Sequence, residues 1–147
     1  MNTLRMLCSG LAGAVAATAT QQALKATVPD APRMDVLGMR GIRKVLESLH
    51  VPVPNGRDLF NSALVGDLIC NSLYYSPVGK KKGISALGSG LSLGLMAGIG
   101  ALKLPQQLGL GKEERDPKKM ALTMAIYVAG GLAAALAANA IPGEKAA

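Results

Sequence analysis

The chain has 147 residues, a length that fits one domain, and carries 23 alanines and 18 glycines, about 28% of the total, against three tyrosines, one phenylalanine and no tryptophan. Half of it is apolar, yet the large side chains that dominate a soluble core are nearly absent, which argues against a conventional soluble enzyme. Two cysteines exclude a disulfide framework, and a formal net charge of +7 is accounted for by membrane-flanking lysines and arginines without invoking nucleic acid.

Charge spacing defines four long windows. Arg5 and Lys25 enclose an uncharged stretch. Asp58 and Lys80 enclose one whose single charge is Asp67. Lys82–Lys103 and Lys119–Glu144 enclose two more uncharged stretches. About 20 mainly apolar residues suffice for a helix to cross a bilayer, and only a helix satisfies its own backbone there. The expectation is an all-α integral membrane four-helix bundle forming one membrane domain, with spans at about 5–25, 58–76, 84–103 and 118–140. The last span is the most apolar. The second, with Asn61, Asp67 and Asn71, is the least, and the first becomes polar at Thr18, Thr20, Gln21 and Gln22. The alternative for the first span is a cleaved signal peptide, with Ala17-Thr18-Ala19 as the cleavage box.

The connections have their own character. Val28-Pro29-Asp30-Ala31-Pro32 forms a stiff exit from the first span. Residues 33–50 then predict an additional amphipathic helix, with Met34, Leu37, Gly41, Val45 and Leu49 on one stripe. It packs across the bundle end, lies in the headgroup layer, or does both. In the second case Arg40, Arg43 and Lys44 contact lipid headgroups. Asp58 sits in the first turn after Pro54-Asn55-Gly56. Lys80, Lys81 and Lys82 form a compact cationic turn, a second headgroup contact. Leu104-Pro105 predicts the end of the third span, Gly109 and Gly111 a solvated loop. Asp116-Pro117 predicts an N-cap and first residue for the fourth span, and Ile141-Pro142-Gly143 its stop. Both termini share a side with the triple lysine. Eleven Lys/Arg flank the spans on the other side against five, including Lys145, which by the positive-inside rule places the termini outside; the dense lysine turn argues the reverse.

Small residues recur at helical spacing. Ala86, Gly90, Gly94 and Gly98 form one ridge, and Gly130, Ala134 and Ala138 another. Gly10, Ala14 and Thr18, with Ser9, Gly13 and Ala17 beside them, form a third. Such ridges let helix backbones approach closely in lipid, either within one chain, as a glycine zipper between its own helices, or around the axis of a homo-oligomer. Asp67, Asn71 and Tyr74 form a polar strip inside the second span, and an intramembrane carboxylate requires a partner or water. Gln21, Gln22, Tyr127 and a snorkelling Lys25 are the candidate partners. In the functional reading Asn71 and Tyr74 tune Asp67 for proton or ion handling; otherwise Asp67 is a packing group. Phe60, Tyr74 and Tyr75 suit interfacial anchoring, and Cys8 and Cys70 are expected to be buried small apolar groups.

No catalytic constellation is evident. His50 is the single histidine and reads as a surface residue. Ser9 and Ser72 lack a His/Asp pattern, and Gly88-Ser89-Gly90 lacks the strand and lysine of a phosphate loop. No cofactor or metal is expected, and membrane lipids are the expected partners, with a second copy or another membrane protein beside them. The segments Val28-Pro29-Asp30-Ala31-Pro32-Arg33-Met34-Asp35-Val36-Leu37-Gly38-Met39, Gly66-Asp67-Leu68 and Asn71-Ser72-Leu73-Tyr74-Tyr75-Ser76, with the small-rich first span, resemble an uncharacterised group of small bacterial inner-membrane proteins of four predicted spans. That resemblance implies a bacterial membrane setting and no activity. The functional expectation is a structural or interaction role, with Asp67-dependent transport as the alternative. A small lipid-modifying enzyme built on Asp30, Arg33, Asp35, Arg40 and His50 is the third.

Overall fold

The computed structural model describes residues 3–142, and among these all regular structure is helical. Five α-helices follow in order: α1 Thr3–Thr27, α2 Met34–Ser48, α3 Gly56–Tyr75, α4 Gly83–Gln107 and α5 Pro117–Ala140. A short 3₁₀ segment, Ser76–Lys80, links α3 to α4. Helices α4 and α5 are each long and apolar enough to cross a membrane. Gly143, Glu144 and Lys145 lie outside the described residues.

The long helices form a row in the order α3, α1, α5, α4, with neighbours antiparallel, and α2 packs along α3. Alanine and glycine set these contacts. Ala86, Gly90, Gly94 and Gly98 are the buried residues of α4, and Gly130, Gly131, Ala134, Ala135 and Ala138 are among those of α5. A Cβ on Gly90 would collide with the Gly131 carbonyl. One on Gly94 would lie 2.7 Å from the Tyr127 carbonyl oxygen, and one on Gly98 2.6 Å from the Met124 sulfur. The α1 face of Ser9, Gly10, Gly13, Ala14 and Ala17 is buried likewise. Both α4 and α5 ridges therefore face each other inside one chain.

Large apolar side chains point the other way. Ile84 is 88% exposed, Leu73 69% and Leu4 65%, whereas Ala14, Ala86, Ala134 and Ala138 are fully buried. The bulkiest buried side chain is Tyr75, whose ring lies against Gly13 and Gly130 and whose hydroxyl donates to the Tyr127 carbonyl at 2.7 Å. This corrects its expected place as an interfacial anchor. Two glycine gaps leave a slot that only a flat ring fills, and the hydroxyl finds a main-chain acceptor.

Helix ends differ from expectation in one place. Pro105 does not end α4, which continues to Gln107. The stop is at Gly109, with φ +67, where Leu110 N–H donates to Pro105 O and Gly109 N–H to Gln106 O. This double bond pattern around a left-handed residue satisfies the last carbonyls, so the proline removes one donor without breaking the helix. The same motif ends α2: His50, with φ +57, donates its N–H to Glu47 O, and Val51 to Leu46 O. Asp116 caps α5 through the Lys118 N–H at 2.9 Å.

Candidate functional site

The polar strip of α3 faces an open lateral groove rather than a sealed core. The α3–α1–α5–α4 row brings α3 and α4 together near Tyr74, whose hydroxyl donates to the Leu93 carbonyl at 2.8 Å. Towards α2 the two helices diverge. The space between them is a groove of about 560 Å³ walled by Asp67, Cys70 and Asn71 of α3 and by Met96, Ala97, Gly100, Ala101 and Leu104 of α4. Tyr127 of α5 also lines it, and Met34 and Leu37 of α2 stand at the end. Cys70 is exposed there, contrary to the expectation of burial, because it lies on the groove side of α3.

Asn71 Nδ2 donates to Asp67 Oδ1 at 2.9 Å, the one hydrogen bond that the structure gives this half-buried carboxylate among the described residues. Tyr74 does not tune Asp67, because it lies two turns further along α3 and its hydroxyl is committed to α4. Tyr127 borders the same groove without a hydrogen bond to Asp67. Gln21 and Gln22 meet Asp67 around a second, small cavity of about 30 Å³, which exceeds the roughly 10–15 Å³ that one water requires. Thr18 also approaches the carboxylate, yet its buried Oγ1 lacks a hydrogen bond of good geometry.

Lys25 is not the partner of Asp67. Its Nζ binds Asp35 Oδ2 at 2.8 Å and lies 5.5 Å from the Phe60 ring centroid. Arg33 grips the same carboxylate with Nε and Nη2, each at 3.0 Å. Asp35, which is not on the apolar stripe of α2, is therefore buried at the α1–α2 junction. Burial alone pushes its carboxyl up, but the hydrogen bonds and charges of Arg33 and Lys25 outweigh that and hold it well below the usual carboxylate range. A basic residue ten positions before Asp35 and another two before it were the available signals. His50 sits at the far end of α2, so Arg33, Asp35 and His50 make no shared site.

The cationic residues divide into three groups. Lys80, Lys81 and Lys82 are exposed at and just after the end of the 3₁₀ segment, and Arg43 is exposed on α2. Arg40 donates to Leu110 O at 3.0 Å, and Lys44 donates to Leu108 O, so both engage carbonyls at the C-terminal end of α4. A positive charge is favourable there against the helix dipole. The third group overlaps the second at Arg40 and adds Lys112 and Lys119, which the sequence does not mark as site residues. Arg33, Arg40, Lys112 and Lys119 line a chamber of about 350 Å³ at the junction of α2, α4 and α5. Lys119 and Thr123, one turn apart on α5, were its readable signal.

Against known proteins the chain matches no family model, and no curated protein or solved structure is significantly similar to it.

Proposed function

We propose that this chain is an integral membrane protein in which α1, α3, α4 and α5 all span the bilayer, α2 lies at the interface, and the role is structural, through contact with lipid and neighbouring membrane proteins. The observation that supports this reading is the inverted packing: leucine, isoleucine and valine lie exposed on all four long helices, while alanine and glycine make up most of the buried faces of α1, α4 and α5. In water that arrangement exposes the residues with most to gain from burial. In lipid there is no such gain, and small residues allow the close backbone approach that holds helices together. The four helices of 20–25 residues measure about 30–37 Å, enough for hydrocarbon. The resemblance to small four-span proteins favours a bacterial inner membrane. Because the glycine ridges already meet within one chain, any assembly with further copies or partners uses the outer apolar faces.

Membrane fractionation tests this. The protein should remain in the pellet after an alkaline carbonate wash and need detergent for release; a monodisperse protein in detergent-free buffer refutes the reading. Transport through Asp67 is the second reading, favoured by the position of its carboxylate between a water-sized cavity and the open groove. Proton or ion flux in reconstituted liposomes that disappears in Asp67→Asn supports it. Flux at the level of empty liposomes rejects it.

A further inference from the structure

The cationic chamber and the lateral groove are adjacent, sharing Met34, Leu37, Ala101 and Pro105 as a common wall. One is charged and lies among the connections; the other is apolar and runs along α4 from Met96 to Leu108, about 18 Å. We propose that together they form a binding site for one anionic phospholipid, its phosphate in the chamber and an acyl chain in the groove. This rests on the membrane reading above.

Four cations border the chamber, and their existing commitments leave capacity. Arg33 uses Nε and Nη2 on Asp35, and Arg40 uses Nη1 on Leu110 O, which leaves each guanidinium further donors. Lys112 and Lys119 complete the set. The one carboxylate on the wall, Glu114, accepts the main-chain N–H groups of Arg115 and Asp116, both at 3.0 Å, so it is fixed to its own loop. Lys119 stands in the N-terminal turn of α5, whose dipole already faces the Asp116 carboxylate that accepts the Lys118 N–H at 2.9 Å.

An independent observation is Thr123. It borders the chamber, is completely buried, and its Oγ1 has no hydrogen-bond partner. Thr20 and Thr27 donate to the carbonyl four residues back at 2.7 Å; Thr123, like Ser9 and Thr18 of α1, does not, and of these three it alone borders the cationic chamber. An unpaired buried hydroxyl beside four cations suits a phosphate oxygen. The groove accounts for the rest of the ligand: a free phosphate has no use for an adjoining apolar channel, whereas a lipid fills both at once.

The test uses full-length protein purified and delipidated in a non-ionic detergent, with native mass spectrometry reading bound lipid. Phosphatidylglycerol should be retained at one molecule per chain, about tenfold more tightly than phosphatidylcholine, which carries the same phosphate but adds a choline cation that the chamber's lysines and arginines repel. Lys112→Gln with Lys119→Gln should abolish that preference. Neutralising Lys80, Lys81 and Lys82 at the opposite end should leave it unchanged. Thr123→Val should weaken retention without lowering thermal stability, since no protein hydrogen bond is removed. Gly100→Phe should displace the acyl chain, because a Cβ at Gly100 meets only Leu104 Cδ1 at 3.6 Å and the ring enters the groove. A membrane-extracted protein with equal retention of both lipids, or with unchanged preference after the double lysine change, overturns the lipid site alone. Inorganic phosphate that competes as well as the lipid overturns the acyl-chain half. Recovery as a soluble protein overturns the membrane reading itself and the lipid site with it.

Discussion

The same chemical change, glycine to alanine, should have opposite signs at two positions six residues apart on α4. At Gly94 the added methyl would lie 2.7 Å from the Tyr127 carbonyl oxygen and 2.8 Å from Val128 Cα. Carbon contacts settle near about 3.5–4.0 Å, so α4 and α5 must part by roughly 0.7 Å or more. A gap of that order forfeits about a quarter to a half of the attraction between facing atoms. Overpacking of this kind destabilises by about 1–3 kcal/mol. The better helix propensity of alanine returns about 0.5–1 kcal/mol, leaving a net loss of about 0.5–2 kcal/mol. At Gly88 nothing lies within 4 Å of the added methyl, so only the propensity gain of about 0.5–1 kcal/mol remains. Unfolding in mixed micelles by sodium dodecyl sulfate, followed by far-ultraviolet circular dichroism, should place the two variants on opposite sides of the wild type. Equal shifts in one direction would refute the close approach of α4 and α5.

Three further outcomes follow from single contacts. Asp35→Asn should lower stability at neutral pH by about 1–2 kcal/mol, less than for a fully buried pair because Lys25 and Arg33 keep contact with water. Since the folded-state pKa of Asp35 is depressed, its contribution is present above the ordinary value of 3.8 and fades as pH falls below it. Thermal melts of the variant should be correspondingly flatter than wild type in that acid window. His50→Gly should raise stability by about 0.5–1 kcal/mol, because a residue without Cβ occupies the left-handed C-terminal position of α2 at less strain; an unchanged or lowered melting temperature counts against that motif. Tyr75→Phe should lose about 0.5–1.5 kcal/mol with the hydrogen bond to Tyr127, and Tyr75→Ala about 3–5 kcal/mol with the whole ring. Similar losses for both variants would show that the ring contributes nothing beyond its hydroxyl.

What could be read in advance depended on how local the physics was. The stretches of α4 and α5 are legible because charge is excluded from long apolar helices, and charge spacing is visible in one dimension. The ridge of Ala86, Gly90, Gly94 and Gly98 is legible for the same reason: helical period alone puts those residues on one face. Its orientation towards α5 is a property of the fold. Pro105 misled because a proline near a helix end is a strong local stop signal, while the stop at Gly109 depends on carbonyls two to four residues upstream being satisfied together. Asp35 and Tyr75 changed roles because their partners, Lys25 and the Tyr127 carbonyl, come from other helices. Asp67 and Asn71 belong together by spacing, and they bond, but nothing in α3 alone says that they face a groove. The chamber of Arg33, Arg40, Lys112 and Lys119 gathers residues from three segments, and no pattern in any one of them reports it.

The join between Gly83 and Asn139 bears on how the protein is made. Asn139 Oδ1 accepts the Gly83 N–H at 2.6 Å, and its Nδ2 donates to Gly83 O at 3.4 Å, fastening the start of α4 to the end of α5. At the other end Lys103 Nζ binds Glu113 Oε1 at 2.7 Å. The two most apolar helices thus form a hairpin fastened at both ends. In the proposed bilayer setting this hairpin enters lipid most readily, yet it leaves the ribosome after α1 and α3. Helices α1 and α3, with their glutamines, asparagines and Asp67, would be held back until it arrives. Assembly would then run against the direction of synthesis, with the C-terminal half acting as the template on which the N-terminal half is received.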